Sequence, residues 1–385
     1  MNRIIFLSSY NPDNRIVRSG VPFSIFHTLQ KYYEVLWVKP EVTNPFFKTV
    51  IFLEYCFWKI IGLNIHAPLI TQMPIKSFFV SLSARRQLAK VSYDGIFALD
   101  YVDFAFLNGK KPIFMRTDAV LSGLLGYYSA EPSWLLRRVG LGFENYAMKK
   151  LCYFFVASQW VKDCMKIGSE AFPLDRTIVI KTGANLDQEM VPIKDKNLNK
   201  QSSLRLLFVG YDIKRKGIDE AFEATNILNE KYGITCRLVV MGGKPEEKML
   251  SSGYLNYIGN MNKNDKAQYD TFYKEFEKAD IFLFPTKAEC HGIVNCEAAA
   301  YGLPIYSYLT GGVPDYVIDG VNGRTLPLGS TGEDFAKVIY QDLDSGIIND
   351  FSKGSRHLFE TQFNWDAWGK IAKTFIDMGL LEHAS

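Results

Sequence analysis

The sequence predicts an α/β protein built from two doubly wound parallel-sheet domains. Three observations carry that expectation: strand-length apolar runs alternate with amphipathic segments, a polar stretch interrupts the alternation near mid-chain, and 385 residues exceed one ordinary hydrophobic core. The runs of the first half are RIIFLSS from Arg3, YEVLWV from Tyr33, GIFAL from Gly95, PIFMR from Pro112 and CYFFVAS from Cys152. Each precedes a segment of helical periodicity, and near-continuous apolar runs of this kind belong to parallel strands covered by helices on both faces. From Ile193 to Ser203 the chain turns polar, with Lys194, Lys196 and Lys200 among Asn, Gln and Ser, which reads as a linker. The alternation then restarts with LRLLFVG from Leu204, CRLVVMGG from Cys236, DIFLFP from Asp280 and LPIYSY from Leu303. The expected organisation is therefore a first domain over 1–192, a linker over 193–203, a second domain over 204–360 and a closing helical segment over 361–385. Two such domains imply a cleft.

Composition narrows the function classes. A hydrophobic fraction of 48% beside 22% charged residues is that of a soluble globular protein. A net charge of only +3 argues against a dedicated nucleic-acid binder. The charge is unevenly spread: residues 1–200 hold 25 Lys and Arg against 16 Asp and Glu, net +9, whereas residues 201–385 hold 19 against 25, net −6. A basic, aromatic-rich first half suits contact with an anionic surface or acceptor. The six cysteines, Cys56, Cys152, Cys164, Cys236, Cys290 and Cys296, form no CxxC pair and have no histidine at zinc-site spacing, so they read as reduced thiols. The N-terminal MNRIIFLSSYNP turns polar after five apolar residues, which suits a first strand better than a signal peptide and gives a cytoplasmic expectation. The apolar stretch from Phe46 to Leu63 is broken by Lys48, Glu54 and Lys59, so a bilayer-spanning helix is not expected. An interfacial helix and a helix packed on its own sheet are both compatible with that pattern.

Chemistry concentrates in the second half. Glu289-Cys-His-Gly-Ile-Val-Asn-Cys-Glu297 stands between the apolar strand IFLFP and the helix-like EAAAYG. At the carboxyl end of a parallel strand, Glu289 falls on the loop and Glu297 inside the following helix. Gly292 lets backbone approach a ligand, and the amides after it, beginning with Ile293 and Val294, point outward from a helix N-terminus toward an anion. Gly302-Leu-Pro304, Thr310-Gly311-Gly312-Val-Pro-Asp315 and Ile318-Asp-Gly-Val-Asn-Gly323 follow in order. A second motif opens the second domain: Phe208-Val-Gly210, then Lys214-Arg215-Lys216-Gly217 at the start of a helical pattern. Three cations at a glycine turn ahead of a helix offer fixed positive charge to an anion.

This succession resembles the donor-site signature of glycosyltransferase family 4. The resemblance implies a retaining, metal-independent enzyme of GT-B fold, with two Rossmann-like domains facing across a deep cleft and a nucleoside-diphosphate sugar as substrate, with no cofactor. By the same resemblance Glu297 holds the ribose hydroxyls, Glu289 touches donor-sugar hydroxyls, and Lys216 with Arg215 grips the diphosphate. The family pattern usually carries Arg directly after the first glycine; this chain has Tyr211 there, and Arg215 is expected to supply the guanidinium, with Lys214 as the alternative. In the first domain, Arg18-Ser-Gly20-Val-Pro22 after the first strand is the candidate anion loop, centred on Gly20. Thr117-Asp118 stands where many family members have a histidine near the reacting sugar, and Asp118 reads either as a sugar or acceptor contact or as the cap of the following helix. His291 reads as packing against the sugar. Ser158-Gln-Trp160, Thr182-Gly-Ala-Asn-Leu-Asp187 and the closing Phe363-Asn-Trp365 also follow the family.

The function expected from this reading is transfer of a sugar from a UDP- or GDP-sugar to a hydroxyl of a glycan or glycolipid acceptor in cell-surface polysaccharide or glycolipid synthesis. Peripheral membrane contact through the first domain is compatible with it. A sugar-nucleotide epimerase, or an inactive sugar-nucleotide or glycan binding protein, would share the same grip on the diphosphate.

Overall fold

The computed structural model describes residues 1–61, 73–128, 133–168, 172–187, 191, 197–201 and 203–383. Residues 193–196 and 202 of the expected linker lie outside this set. The chain divides into two compact units, Met1–Ile180 with Gly369–Ser385, and Lys181–Trp368. The second unit begins upstream of the polar stretch because Thr182–Asn185 is tied into it. Ala184 N donates to Phe363 O at 2.9 Å, Cys296 Sγ lies 3.2 Å from Thr182 O, and Trp365 Nε1 donates to Asn185 Oδ1 at 2.9 Å.

The first unit holds β1 (Arg3–Leu7), β2 (Glu34–Val38), β3 (Gly95–Ala98), β4 (Ile113–Thr117), β5 (Leu151–Val156) and β6 (Thr177–Val179). They form one parallel sheet in the order β2-β1-β3-β4-β5-β6. Central strands β3, β4 and β5 are buried along their whole length, as expected for a sheet covered on both faces. The order reverses direction between β1 and β3, so the crevice at their carboxyl ends is a topological switch point. The strands β1 to β5 are those foreseen; β6, short and at the edge, was not.

The second unit repeats the plan with β7 (Leu204–Gly210), β8 (Cys236–Gly242), β9 (Leu255–Gly259), β10 (Ile281–Phe284), β11 (Ile305–Tyr308) and β12 (Gly323–Leu326), again all parallel, in the order β12-β11-β10-β7-β8-β9. Here the switch point lies between β7 and β10. The loops that leave these two strands carry the Lys214–Gly217 and Glu289–Glu297 motifs, so the topology alone brings both motifs to one crevice. One apolar cluster fills each side of this sheet, one around Phe276, Phe282 and Phe284 and the other around Leu206, Phe208 and Tyr306.

Among the described residues no helix is long and apolar enough to cross a membrane.

Candidate active site

After Gly210 the chain turns through Tyr211–Gly217 into the helix Ile218–Glu230. Gly217 caps that helix in the left-handed region, φ +83°, and a Cβ there would stand 2.0 Å from the carbonyl oxygen of Pro285. Only glycine allows this approach, and it seats the β7 loop against the segment leaving β10. The seam continues in a hydrogen bond from Lys287 N to Arg215 O at 2.8 Å.

Lys216 and Glu289 form a salt bridge with both side chains largely buried. The ammonium also stands 4.9 Å from the centroid of the Phe284 ring, the last residue of β10. Burial pushes the Glu289 carboxyl up, but Lys216, with His291 and Arg215 adding to it, outweighs burial and holds the group below its ordinary value of 4.5. A folded-state pKa below the unfolded one means that the pair stabilises the fold above the ordinary carboxylate range, and that this contribution is lost as pH falls through the lowered value. An ammonium has three donors, of which Glu289 takes one.

Arg215 is anchored by Nη1 on Ala288 O at 2.6 Å and by Nε on Asp212 Oδ2 at 3.1 Å, so its guanidinium lies beside the residue that precedes Glu289. Lys214 turns outward to Asp219, at 3.0 Å, and Glu246, at 2.5 Å. Of the two cations weighed for the missing guanidinium, geometry thus puts Arg215 by the acid motif and Lys214 at the surface. Tyr211 is exposed.

The helix Ile293–Ala300 starts at Gly292, φ +70°, with no side-chain cap on its first amides. The amides of Ile293 and Val294 therefore face the Glu289 loop, where a helix N-terminus favours negative charge. Gly311, φ +49°, and Gly312 form the next turn, and Gly312 N donates to Glu289 O at 2.9 Å. The glycine turns and the first acid are thereby locked into one loop cluster. His291 is buried with its ring 6.0 Å from that of Tyr316.

Glu297 is fully buried. Its Oε1 accepts from Lys263 Nζ at 2.6 Å and from Tyr273 Oη at 3.2 Å, while Oε2 has no hydrogen-bond partner. Neither Lys263 nor Tyr273 was singled out from the sequence: Lys263 sits in a polar loop far upstream with no motif about it, and Tyr273 reads as one apolar position of a helix. Asn295 was also missed. It is fully buried, its side-chain amide has no partner at either atom, and its Nδ2 would lie 2.6 Å from a Cβ at Gly292. Buried orphan polar atoms cost on the order of 1–3 kcal/mol each. Replacing Lys263 by Ala leaves the Glu297 carboxylate without its charge partner, and we expect a stability loss of about 3 kcal/mol in urea denaturation at neutral pH; a loss below 1 kcal/mol would show the pair to be dispensable.

In the first unit, Arg18, Ser19 and Gly20 lie in succession in the left-handed region, at φ +47°, +57° and +87°, and Gly20 caps the helix Val21–Gln30. The Arg18 guanidinium donates to Leu99 O at 3.3 Å and to Asp100 Oδ1 at 3.2 Å. Its neighbours are acidic. Burial opposes its charge, yet Asp100, Asp118, Tyr10 and Asp103 raise its pKa above the ordinary value. Asp103, driven up to about 7 by burial and by Asp100, accepts from Ser9 Oγ at 2.8 Å. Asp118 therefore belongs to a charged group at the carboxyl ends of β1, β3 and β4. It is not the helix cap weighed from sequence: Val120 holds that position ahead of Leu121–Leu124, and the Leu121 amide is taken by Glu144 at 2.9 Å.

Among the described residues one grouping has metal-ligand spacing, Cys152 with Glu382 and His383. Burial pushes the Cys152 thiol up to about 11, which disfavours the thiolate a metal needs, and Glu382 is already bound to Arg176 at 3.0 Å. None of these three residues belongs to the Lys216–Glu289 loops.

Residues 191–350 match the family model of glycosyl transferases group 1. The lipopolysaccharide glucosyltransferase WaaG of Escherichia coli is 29% identical over 175 residues, 44% of this chain and 45% of WaaG, so the chain spans less than half the length of this curated relative. In three dimensions the likeness covers far more. The crystal structure of WaaG is matched with TM-score 0.63 and 17% identity over 97% of this chain and 99% of WaaG. HepE of Anabaena, solved in complex with UDP, is matched with TM-score 0.65 and 15% identity over 97% and 99%. At such identities the structures establish the fold, which is GT-B. The chain accordingly has the GT-B fold, and its residues 191–350 match the family model of glycosyl transferases group 1.

Proposed function

We propose that this protein is a retaining glycosyltransferase that moves a sugar from a nucleoside-diphosphate donor to a hydroxyl of a glycan or glycolipid, in polysaccharide or lipopolysaccharide synthesis. The observation that carries the reading is the meeting of Lys216 with Glu289 at the β7–β10 switch point, with the Arg215 guanidinium on one side and the uncapped Gly292 helix start on the other. A diphosphate suits that group: Lys216 keeps two donors for phosphate oxygens, and the Ile293 and Val294 amides add neutral donors. Gly311 and Gly312 permit close approach of the same group. Glu289, charged at neutral pH, accepts from sugar hydroxyls, and Glu297 offers Oε2 to the ribose diol.

In the proposed reaction the bond between the anomeric carbon and the phosphate oxygen breaks as the acceptor oxygen bonds to that carbon on the same face. The acceptor's proton passes to the departing diphosphate oxygen. Lys216 and Arg215 stabilise the charge left on the diphosphate, and no metal is required in this scheme. Asp118, in the charged group with Arg18, is proposed to contact a sugar hydroxyl or to position the acceptor, and the Gly20 loop to bind the donor's anionic group. A UDP donor has the support of HepE, which is solved with UDP; a GDP donor is the other arm of the test. The first unit is proposed to meet the membrane surface peripherally, where a lipid-linked acceptor would be.

The test is a thermal-shift panel of UDP- and GDP-sugars with product analysis. A donor at 100 times its Kd adds about 2.7 kcal/mol of stability, and we expect one base class to raise Tm and to yield product only when acceptor is present. Glu297→Ala is expected to abolish the shift. Epimerised donor formed without acceptor would instead assign the chain to the epimerases, and a Tm shift without any product would assign it to binding alone.

A further inference from the structure

We infer that the pocket at the amino ends of β3 and β4 is a binding site for a small organic phosphate, a phosphate monoester with an apolar or aromatic body. The site lies at the end of the first sheet opposite to Arg18 and Asp118, and the inference does not rest on the transferase reading. The pocket has a volume of about 400 Å³, within the range of small-molecule sites. Leu88, Ile96, Leu107 and Ile113, all buried, and the half-buried Tyr93 supply its apolar lining. Arg85, Lys111 and Lys150 supply its charge, and among the described residues no acid lines it.

The three cations come from separate elements that the fold brings together. Arg85 stands in the last turn of the helix Pro74–Leu88, Lys111 on the loop into β4, and Lys150 directly before β5. Lys150 is held in place: its Nζ donates to Leu107 O at 3.0 Å and stands 5.3 Å from the centroid of the Tyr146 ring. That carbonyl takes one of the three donors of the ammonium. Arg85 and Lys111 have no ion pair among the described residues. Arg86, Lys90, Lys110 and Lys149, which adjoin lining residues in sequence, are exposed as well. Asp94, the acid that follows Tyr93, accepts the Arg3 amide at 2.8 Å. Like charges gathered without a counter-ion repel one another, and a bound anion relieves that repulsion.

The end of a helix ordinarily disfavours an anion. Here the last carbonyls of Pro74–Leu88 are taken, Arg85 O by the Ala89 amide at 3.1 Å, Gln87 O by that of Lys90 at 3.1 Å and Leu88 O by that of Val91 at 3.3 Å. Tyr93 brings no negative charge, because burial raises its phenol above the ordinary value of 10. The planar fork of Arg85 matches two phosphate oxygens, and Lys111 and Lys150 act as point charges beside it. Inorganic phosphate would leave the apolar side chains uncovered, whereas the body of an ester covers them.

The experiment is isothermal titration of the full chain with phenyl phosphate at low ionic strength, beside inorganic phosphate. We expect saturable binding of phenyl phosphate and binding of inorganic phosphate about tenfold weaker. Arg85→Gln/Lys111→Gln is expected to weaken phenyl phosphate by about tenfold or more. Ala89→Trp, which fills the pocket and leaves its charge intact, is expected to abolish binding. All three positions are exposed, and an unchanged Tm verifies that both variants fold. Absence of wild-type binding overturns the proposal. So does equal binding by Ala89→Trp, or equal affinity for the two phosphates, since surface cations then attract anions without a pocket. Binding that survives undiminished in Arg85→Gln/Lys111→Gln belongs elsewhere on the chain and overturns it too.

Discussion

Lys216→Ala is expected to lower donor turnover by about 10²–10³-fold, the usual cost of removing one donor aimed at charge that develops in a transition state. The lysine is placed for that task by three constraints: the Gly217 turn behind it, the Phe284 ring beneath it and the Glu289 carboxylate beside it. Removing it also leaves Glu289 buried with its principal cation gone, which costs on the order of 3 kcal/mol of stability. Stability and turnover must therefore be read separately. The double variant Lys216→Ala/Glu289→Gln restores a neutral buried pair, and we expect it to regain much of the stability while turnover stays low. Kinetics and urea denaturation on both variants decide the matter. Turnover of the single variant within threefold of the parent at saturating donor would show that Lys216 does not stabilise the leaving group.

That experiment was open to design from sequence because the informative part of the fold is local. The run IFLFP, the glycine at 292 and the acid at 297 each specify a strand, a turn and a helix within a few residues, and the switch-point topology carries Lys216 to them across 73 positions. The central strands β7, β8, β10 and β11 were legible for the same reason, being apolar on both faces. The edge strands β6, β9 and β12 were not: Thr177–Val179, Leu255–Gly259 and Gly323–Leu326 are three to five residues long and only part-buried, so their pattern is shared with loops. What sequence could not supply was the second set of partners. Lys263 meets Glu297 from a loop 34 residues away, and the two have no periodic relation. Asp118 joins Arg18 and Asp100 only because β1, β3 and β4 end side by side. Long-range pairs of this kind are decided by sheet order, which one sequence does not state.

Gly217→Ala is expected to be among the more damaging single methyl groups in the second unit. Two costs add there. The backbone at φ +83° disfavours any L side chain, by about 1–2 kcal/mol, and the new Cβ would stand 2.0 Å from Pro285 O, an atom of rigid backbone that cannot swing aside. Together they predict a loss of about 3 kcal/mol or more, which for a unit of this size lowers Tm by roughly 10 °C. Gly329 separates the two terms: it also has positive φ, +92°, but nothing lies within 4 Å of its would-be Cβ, so Gly329→Ala should lose only the conformational part. The clash has a consequence beyond stability. To accommodate the methyl group the β7 loop must part from the β10 segment, carrying Lys216 away from Glu289 and Arg215 from Ala288. Gly217→Ala is thus expected to weaken donor binding at temperatures where the protein is still folded, whereas Gly329→Ala leaves it unchanged. Differential scanning calorimetry with and without donor measures both quantities on one sample. Equal Tm values for the two variants would mean that the seam between the loops yields to a methyl group and does not hold the site together.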